Sequence, residues 1–235
     1  MDEFWHAIMS AGSMIWRLDT ELWEIIGLSL RVSLTATGIA AVVGLPFGAL
    51  IALGRFPGRR VLIVIFNALM GLPPVVVGLV VYLMLSRSGP FGVLNLLFTP
   101  TAMIIAQIIL VLPIIVSLSR EVIETLWQEY HEALRSLGAS PRQALFALLW
   151  DGRVMLVTTL LAGFGRAVAE VGAVMIVGGN IDHVTRVMTT SITLEASKGN
   201  LSLALGLGVV LLLLSLSINI GAYGFKYFGD VRRPA

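Results

Sequence analysis

Residues 101–119, TAMIIAQIILVLPIIVSLS, form a run of nineteen residues without a charged side chain. A helix needs about 20 mostly apolar residues to cross the hydrocarbon core of a bilayer, so this run predicts a transmembrane helix. The whole chain has the same character, because 57% of its 235 residues are hydrophobic and only 13% are charged. A soluble domain carries roughly 25% charged residues. The composition therefore argues against a disordered chain, a secreted disulfide scaffold and an ordinary soluble enzyme.

Four further apolar runs bring the predicted number of spans to five, each helical because lipid cannot satisfy an open backbone. The predicted fold is an all-α membrane protein. Its spans are residues 25–53, 61–85, 101–119, 154–177 and 201–225. Residues 1–24, with three tryptophans among acidic side chains, predict an N-terminal extracytoplasmic helix in the membrane interface, a sixth span being the alternative. Residues 25–228 then form the transmembrane domain, and residues 229–235 a cytoplasmic tail.

The distribution of lysine and arginine predicts how the chain lies in the cell (inner) membrane. Segments on one side of the five spans carry ten basic residues, and those on the other side carry four. Basic residues are enriched in cytoplasmic loops. The N-terminus is therefore predicted outside and the C-terminus inside, with residues 120–153 as the longest cytoplasmic loop.

Catalysis by the chain itself is not expected. The sequence contains no cysteine, and His6, His131 and His183 are isolated, so no metal site is predicted. The net charge of +2 comes from basic residues scattered over short loops, which does not indicate nucleic-acid binding.

The cytoplasmic loop REVIETLWQEYHEALRSLGASPRQALFALLWDGR, residues 120–153, has the signals of a helical hairpin. Gly138 suits the position after a helix C-terminus, where positive φ is free of strain. Ser140 is a favourable N-cap, and Pro141 suits the first turn of a second helix. The loop is either a solvated hairpin or a docking site for a cytoplasmic partner.

The predicted fourth span contains two charged residues, Arg166 and Glu170. Residues four apart share one face of a helix, so the two side chains are expected to pair. Charges inside a membrane are costly and are usually functional. The pair is either a structural bridge between helices or part of a translocation path or gate.

The predicted second span has Pro73 and Pro74 at its middle. A proline removes a helical hydrogen bond, so the pair predicts either a kink or a hinge near a gate. In the second interpretation Leu72 and Val75 are apolar plugs. Residues 88–100, which are uncharged and too short to cross, predict a re-entrant or mouth-covering loop.

The segment Glu132-Ala133-Leu134, followed by three residues and Gly138, resembles the EAA motif of ABC importer permeases. The chain departs from that motif at Leu134, where the family has alanine, and in lacking the Ile-x-Leu-Pro ending. The resemblance implies the type I, MetI-like transmembrane domain, in which this loop is the coupling helix that enters a groove on an ATPase. The residues it implies for coupling are Glu132, Ala133, Leu134, Leu137, Gly138, Ala139, Ser140 and Pro141.

The segment GRAVAEVGAVMIVGGNI, residues 165–181, followed by TRVMTT at 185–190, resembles the molybdate and tungstate branch of these permeases, and the residues after GGN fit the tungstate type best. The resemblance implies a second copy of the chain, two ATPase subunits holding ATP and magnesium, and an extracytoplasmic oxyanion-binding protein. The chain lacks G-x-x-x-x-G-K-[ST], so it has no phosphate-binding loop and needs no cofactor of its own.

The resemblance implies the membrane subunit of a tungstate importer, with molybdate or sulfate as alternative cargo and an ion-gradient carrier as the alternative class. An oxyanion needs hydrogen-bond donors. Ser33 and Thr190 are candidate donors, although hydroxyls in membrane helices usually bond to their own backbone.

Overall fold

A computed structural model describes residues 20–230, and no strand occurs in that range. The predicted interfacial segment lies outside it, except for residues 20–24, which begin the first helix. The tail from residue 231 also lies outside. The helices are α1 (Thr20–Leu53), α2 (Arg59–Leu69), α3 (Pro74–Leu85), α4 (Pro100–Ser136), α5 (Pro141–Asp151), α6 (Arg153–Val168), α7 (Gly172–Gly178), α8 (Met188–Ser197) and α9 (Leu201–Asp230).

Three of these helices are long and apolar enough to cross a bilayer, namely α1 from Leu22, α4, and α9 as far as Gly221. Two bent pairs, α2 with α3 and α5 with α6, raise the number of candidate spans within residues 20–230 to five if each pair counts as one. The described part of the chain is therefore an all-helical, multi-pass membrane protein with three to five spans.

The continuous helix predicted over residues 61–85 is wrong. Helix α2 ends at Leu69, and Pro73 has an extended backbone (φ −66°, ψ 120°) that caps α3, with Pro74 in the first turn. A proline disfavours helical conformation in the residue before it, but it fits a helix N-terminus well. The double proline therefore starts a new helix and does not kink an existing one.

The helix predicted over residues 154–177 is also interrupted. Helix α6 ends at Val168 and α7 begins at Gly172, so Glu170 lies between two helices. The expectation that Arg166 and Glu170 share a helical face is therefore wrong. The interruption is stabilised by side chains: the Glu170 carboxylate accepts a hydrogen bond from the Ala173 amide at 3.0 Å, and the Thr189 hydroxyl donates to the Glu170 carbonyl at 2.8 Å. Polar backbone released at membrane depth needs such partners.

The chain divides into two compact units. Unit 1 contains the described residues up to Thr35, together with Pro73–Gln107 and Ala167–Ile220. Its core joins α1, α8 and α9. Helix α3 packs closely on α7, because a Cβ atom at Gly78 would lie 2.7 Å from the Ala173 Cα. The buried core residues of unit 1 include Leu22, Ile25, Ile26, Met188, Leu207 and Val210.

Unit 2 contains Ala36–Leu72, Ile108–Arg166 and the described residues from Gly221. Its core joins the C-terminal end of α1 to α4 and α5 through Ala49, Ala52, Ile123, Leu126 and Leu148. The helix α5 that follows the predicted hairpin turn is thus built into the packed interior of unit 2.

Residues 88–100, predicted as a re-entrant or mouth-covering loop, fold back on unit 1. The Phe98 amide donates to the Val177 carbonyl of α7 at 2.9 Å, and the Phe98 ring meets the Tyr82 ring of α3 edge-on at 6.2 Å. The loop therefore links the ends of α3 and α7, while Val93 and Leu94 on it are exposed.

Candidate functional site

The turn between α4 and α5 lies where the sequence predicts it. Helix α4 ends at Ser136, and Gly138 follows with φ +69°. The Gly138 amide donates to the Arg135 carbonyl and the Ala139 amide to the Leu134 carbonyl, both at 3.0 Å. These two bonds form a Schellman motif, which closes a helix C-terminus and requires the left-handed conformation that glycine adopts without strain.

The second helix of the hairpin begins with a capping box. The Ser140 hydroxyl accepts from the Gln143 amide, and the Gln143 side chain accepts from the Ser140 amide at 2.8 Å. Pro141 occupies the first turn. The N-cap predicted at Ser140 and the first-turn position predicted for Pro141 are confirmed. The partner Gln143 was not predicted, although the spacing Ser-x-x-Gln is the sequence signature of a capping box.

One side of the hairpin is buried and the other is exposed. Ala144 and Leu148 of α5 pack into the core of unit 2. Leu137 at the turn is 81% exposed, and Phe146 and Trp150 on the outer face of α5 are 69% and 72% exposed. Large apolar side chains that cluster on an exposed surface mark an interaction site. The hairpin is thus anchored in the core of unit 2 and leaves Leu137, Phe146 and Trp150 exposed.

The residues that the EAA resemblance implies for coupling are all at this surface. Glu132, Ala133 and Gly138 are exposed, while Leu134 is half-buried. Two shallow grooves flank the turn. One, of about 350 Å³, is lined by the apolar side chains of Leu134, Ala139 and Pro141 together with Arg55, His131 and Arg135. The other, of about 310 Å³, includes Ala133 and Leu137.

An ionic network that the sequence did not predict holds α1, α2 and α4 together beside the hairpin. The Arg59 guanidinium donates to the Ile51 carbonyl at 2.7 Å and to the Glu124 carboxylate at 2.8 Å. Arg120 binds the other oxygen of the same carboxylate. Arg59 thereby satisfies a carbonyl in the last turn of α1, where a cation also complements the helix dipole. We call Arg59, Arg120 and Glu124 the latch.

Two predicted path residues, Ser33 and Glu170, lie in unit 1 around a buried polar cavity. Ser33 and Glu170 are each 3% exposed and line it with Gln107 and Thr189. The Gln107 side-chain amide donates to the Ala167 carbonyl at 3.1 Å, while its oxygen has no hydrogen-bond partner in the part of the chain that the structure describes. The cavity holds about 10 Å³, room for about one water molecule, so a tetrahedral oxyanion does not fit here.

The other predicted path residues have different surroundings. The Thr190 hydroxyl accepts from the Val187 amide at 3.1 Å and donates to the Val187 carbonyl at 3.0 Å, so it caps α8 in the way expected of hydroxyls that bond locally. Val75 is exposed and lies beside Gly172. Leu72 and Arg166, both half-buried, belong to unit 2.

No group of three or more histidine, aspartate or glutamate side chains between residues 20 and 230 is arranged to hold a metal ion.

Comparison with known proteins identifies the class of machinery. Residues 44–226 match the family described as "Binding-protein-dependent transport system inner membrane component". The chain is 44% identical over 187 residues to a probable anion ABC transporter permease protein of Haloferax volcanii, with 77% of this chain and 81% of the relative covered. It is 41% identical over 191 residues to the tungstate uptake system permease protein TupB of Peptoclostridium acidaminophilum, with 81% and 84% covered.

More distant relatives transport another anion. The sulfate transport system permease protein CysT of Escherichia coli is 28% identical over 201 residues, covering 79% of this chain and 72% of the relative. The family match, the apolar helices and the capped hairpin agree. The chain belongs to the inner-membrane components of binding-protein-dependent transport systems, the ABC importer permeases with a MetI-like transmembrane domain.

Proposed function

We propose that this chain is the membrane subunit of an ATP-driven importer of a tetrahedral oxyanion, and that its cargo is tungstate. The observation that carries the proposal is the similarity, at 41–44% identity over about four-fifths of the chain, to permeases named for anion and tungstate uptake. In this proposal the chain supplies the path through the membrane and hydrolyses no ATP.

The hairpin supports the coupling step. Its Schellman motif and capping box fix the turn at Gly138–Pro141 without help from other parts of the chain. Its inner face packs on α1 and α4 in unit 2, so a force applied to the turn is transmitted to that packed unit. We assign the exposed face around Glu132, Leu137 and Gly138 to contact with an ATPase subunit, which binds ATP and magnesium.

The proposed assembly contains two copies of this chain, two ATPase subunits and an extracytoplasmic oxyanion-binding protein. The N-terminus lies outside and the C-terminus in the cytoplasm, as the distribution of basic residues predicts. This orientation places the hairpin and the latch on the ATPase side.

Transport in proteoliposomes tests the proposal. We expect ATP-dependent tungstate uptake only when permease, ATPase and binding protein are all present. Uptake by the permease alone, or uptake that persists in Glu132→Ala and Gly138→Pro variants without a bound ATPase, would favour the ion-gradient carrier instead.

Sulfate is the second candidate cargo, because relatives at 27–34% identity are sulfate permeases. Molybdate shares the tetrahedral geometry and charge of tungstate and is the third. Calorimetric titration of the binding protein with the three oxyanions distinguishes them. We expect the tightest binding for tungstate, and a preference for sulfate would reassign the cargo while leaving the machinery unchanged.

A further inference from the structure

A buried side-chain oxygen beside the break between α6 and α7 has no hydrogen-bond partner. Gln107 of α4 is 3% exposed, and its side-chain amide donates to the Ala167 carbonyl at the end of α6 at 3.1 Å. Within residues 20–230 its side-chain oxygen accepts no hydrogen bond. Exchanging the two ends of the amide would set this oxygen against the Ala167 carbonyl, so the orientation is fixed. Because a buried, unsatisfied acceptor is costly, a donor from outside the described chain is expected beside Gln107.

The chemistry of the cavity lining indicates what that donor is. Ser33 of α1, Glu170 of the break and Thr189 of α8 line the same cavity as Gln107, and each is at most 7% exposed. The Thr189 hydroxyl already donates to the Glu170 carbonyl, and an ionised carboxylate can only accept. Acceptors therefore outnumber free donors in the lining, which disfavours an anion and favours a ligand that donates hydrogen bonds.

The size of the cavity limits the ligand to one very small molecule. The cavity holds about 10 Å³. A buried water molecule needs about 10–15 Å³ of such space and two to four polar partners. The Gln107 oxygen, the Glu170 carboxylate and the Ser33 hydroxyl line the cavity and provide that number of partners. A single water molecule therefore fits both the volume and the chemistry of the lining.

We propose that one ordered water molecule is bound in this cavity as part of the permease, and that it donates to the Gln107 side-chain oxygen. The water completes the set of partners at the helix break, where the Gln107 amide binds the Ala167 carbonyl and the Thr189 hydroxyl binds the Glu170 carbonyl. Ordered water is one of the means by which membrane proteins satisfy backbone groups released from a helix. Displacing the water therefore destabilises the break, whatever the cargo of the transporter.

Adding one methyl group to the cavity tests the proposal through the sign of its effect on stability. In the full-length permease, Ser33→Thr keeps the hydroxyl and adds a methyl group in a space that holds about one water molecule. The methyl group then displaces the water, and Gln107 loses its donor. We expect the melting temperature to fall by at least about 2–4 °C, as for one lost hydrogen bond in a chain of this length. In a dry cavity the methyl group would gain packing contacts, so an unchanged or raised melting temperature would overturn the proposal.

A second substitution separates the loss of water from simple crowding. In Gln107→Met the unsatisfied oxygen is absent, so Ser33→Thr should lower the melting temperature much less than it does in the wild-type background. An equal loss in both backgrounds would indicate crowding alone and would overturn the proposal. The matched control is Ser117→Thr, which adds a methyl group to another buried serine, about 15 Å along α4 from Gln107. Its effect should be the same in both backgrounds, because distant sites without shared partners are additive.

Two measurements on the wild-type permease decide the question if a variant does not fold. A cryo-EM map that resolves ordered water should contain a density peak within about 3.0 Å of the Gln107 side-chain oxygen, and absence of this peak would overturn the proposal. Melting in equal concentrations of sodium, potassium or choline chloride distinguishes water from a bound cation. We expect the same melting temperature in all three salts, and a selective rise in sodium would overturn the proposal and assign the cavity to that cation.

Discussion

Replacing Gly138 tests whether the geometry of the hairpin turn is what the ATPase recognises. Gly138 has φ +69°, and a Cβ atom at this position would meet no heavy atom within 4 Å. An alanine here therefore clashes with nothing, and its cost is purely conformational. The left-handed region costs a non-glycine residue about 1–2 kcal/mol. Asparagine visits that region more readily than alanine, so it should cost less.

The assay is the affinity of the purified permease in nanodiscs for its ATPase subunit, together with uptake in proteoliposomes. If the variant turn relaxes out of the left-handed conformation in the free permease, binding has to restore it, and a strain of about 1–2 kcal/mol then corresponds to about 5- to 30-fold in the affinity. We expect affinity to fall in the order glycine, asparagine, alanine, with alanine about 5- to 30-fold weaker than wild type. Equal affinity for the alanine variant, or weaker binding by asparagine than by alanine, would show that the ATPase does not recognise the geometry of this turn.

Three further changes test the elements around the hairpin and the helix break. Ser140→Ala removes the capping box and should cost about 1 kcal/mol in thermal unfolding, while Ser140→Thr should retain most of the stability. Glu124→Gln leaves both latch arginines without a carboxylate. Because Glu124 is 32% exposed, we expect the free energy of unfolding to fall by about 1 kcal/mol, and by less at high salt. The control Glu121→Gln, at an exposed position on the same helix, should show no such loss. Gly78→Val forces α3 away from Ala173 and should destabilise the permease by about 1–3 kcal/mol, whereas Gly208→Val, at an open position on α9, should not.

The features that the sequence predicted correctly are those set by neighbouring residues. The turn at Gly138 and the N-cap at Ser140 depend on a few positions whose backbone requirements are specific, so their signals can be read locally. The spans α1, α4 and α9 can also be predicted from the sequence, because each is a single helix with an uninterrupted run of apolar residues long enough to cross a bilayer.

The helix breaks were missed for two different reasons. At Pro73 the signal was present, but a charge-free run long enough to span a bilayer favoured one helix over two. At Glu170 no local signal exists. The break depends on the Thr189 hydroxyl, 19 residues away, and on the Gln107 amide, which reaches the Ala167 carbonyl across 60 residues.

The latch illustrates the same limit. Arg59 and Glu124 are 65 residues apart, and nothing in either local sequence indicates that they meet. The fold brings only some of the predicted path residues together. Ser33 and Glu170 line the same cavity, whereas Thr190 caps its own helix. The roles of all these residues in transport stay predictions.

Site-directed cross-linking tests most directly the claim that an ATPase engages this chain through its hairpin. A cysteine at position 137, whose native leucine is 81% exposed, carries a short photoactivatable group, and a cysteine at exposed Leu212 on α9 serves as the control. We predict that position 137 forms a cross-link to the ATPase whose yield changes between the ATP-bound and nucleotide-free states, and that position 212 forms none. Efficient ATP-driven uptake with no cross-link from position 137 in either state would show that the ATPase does not engage the hairpin.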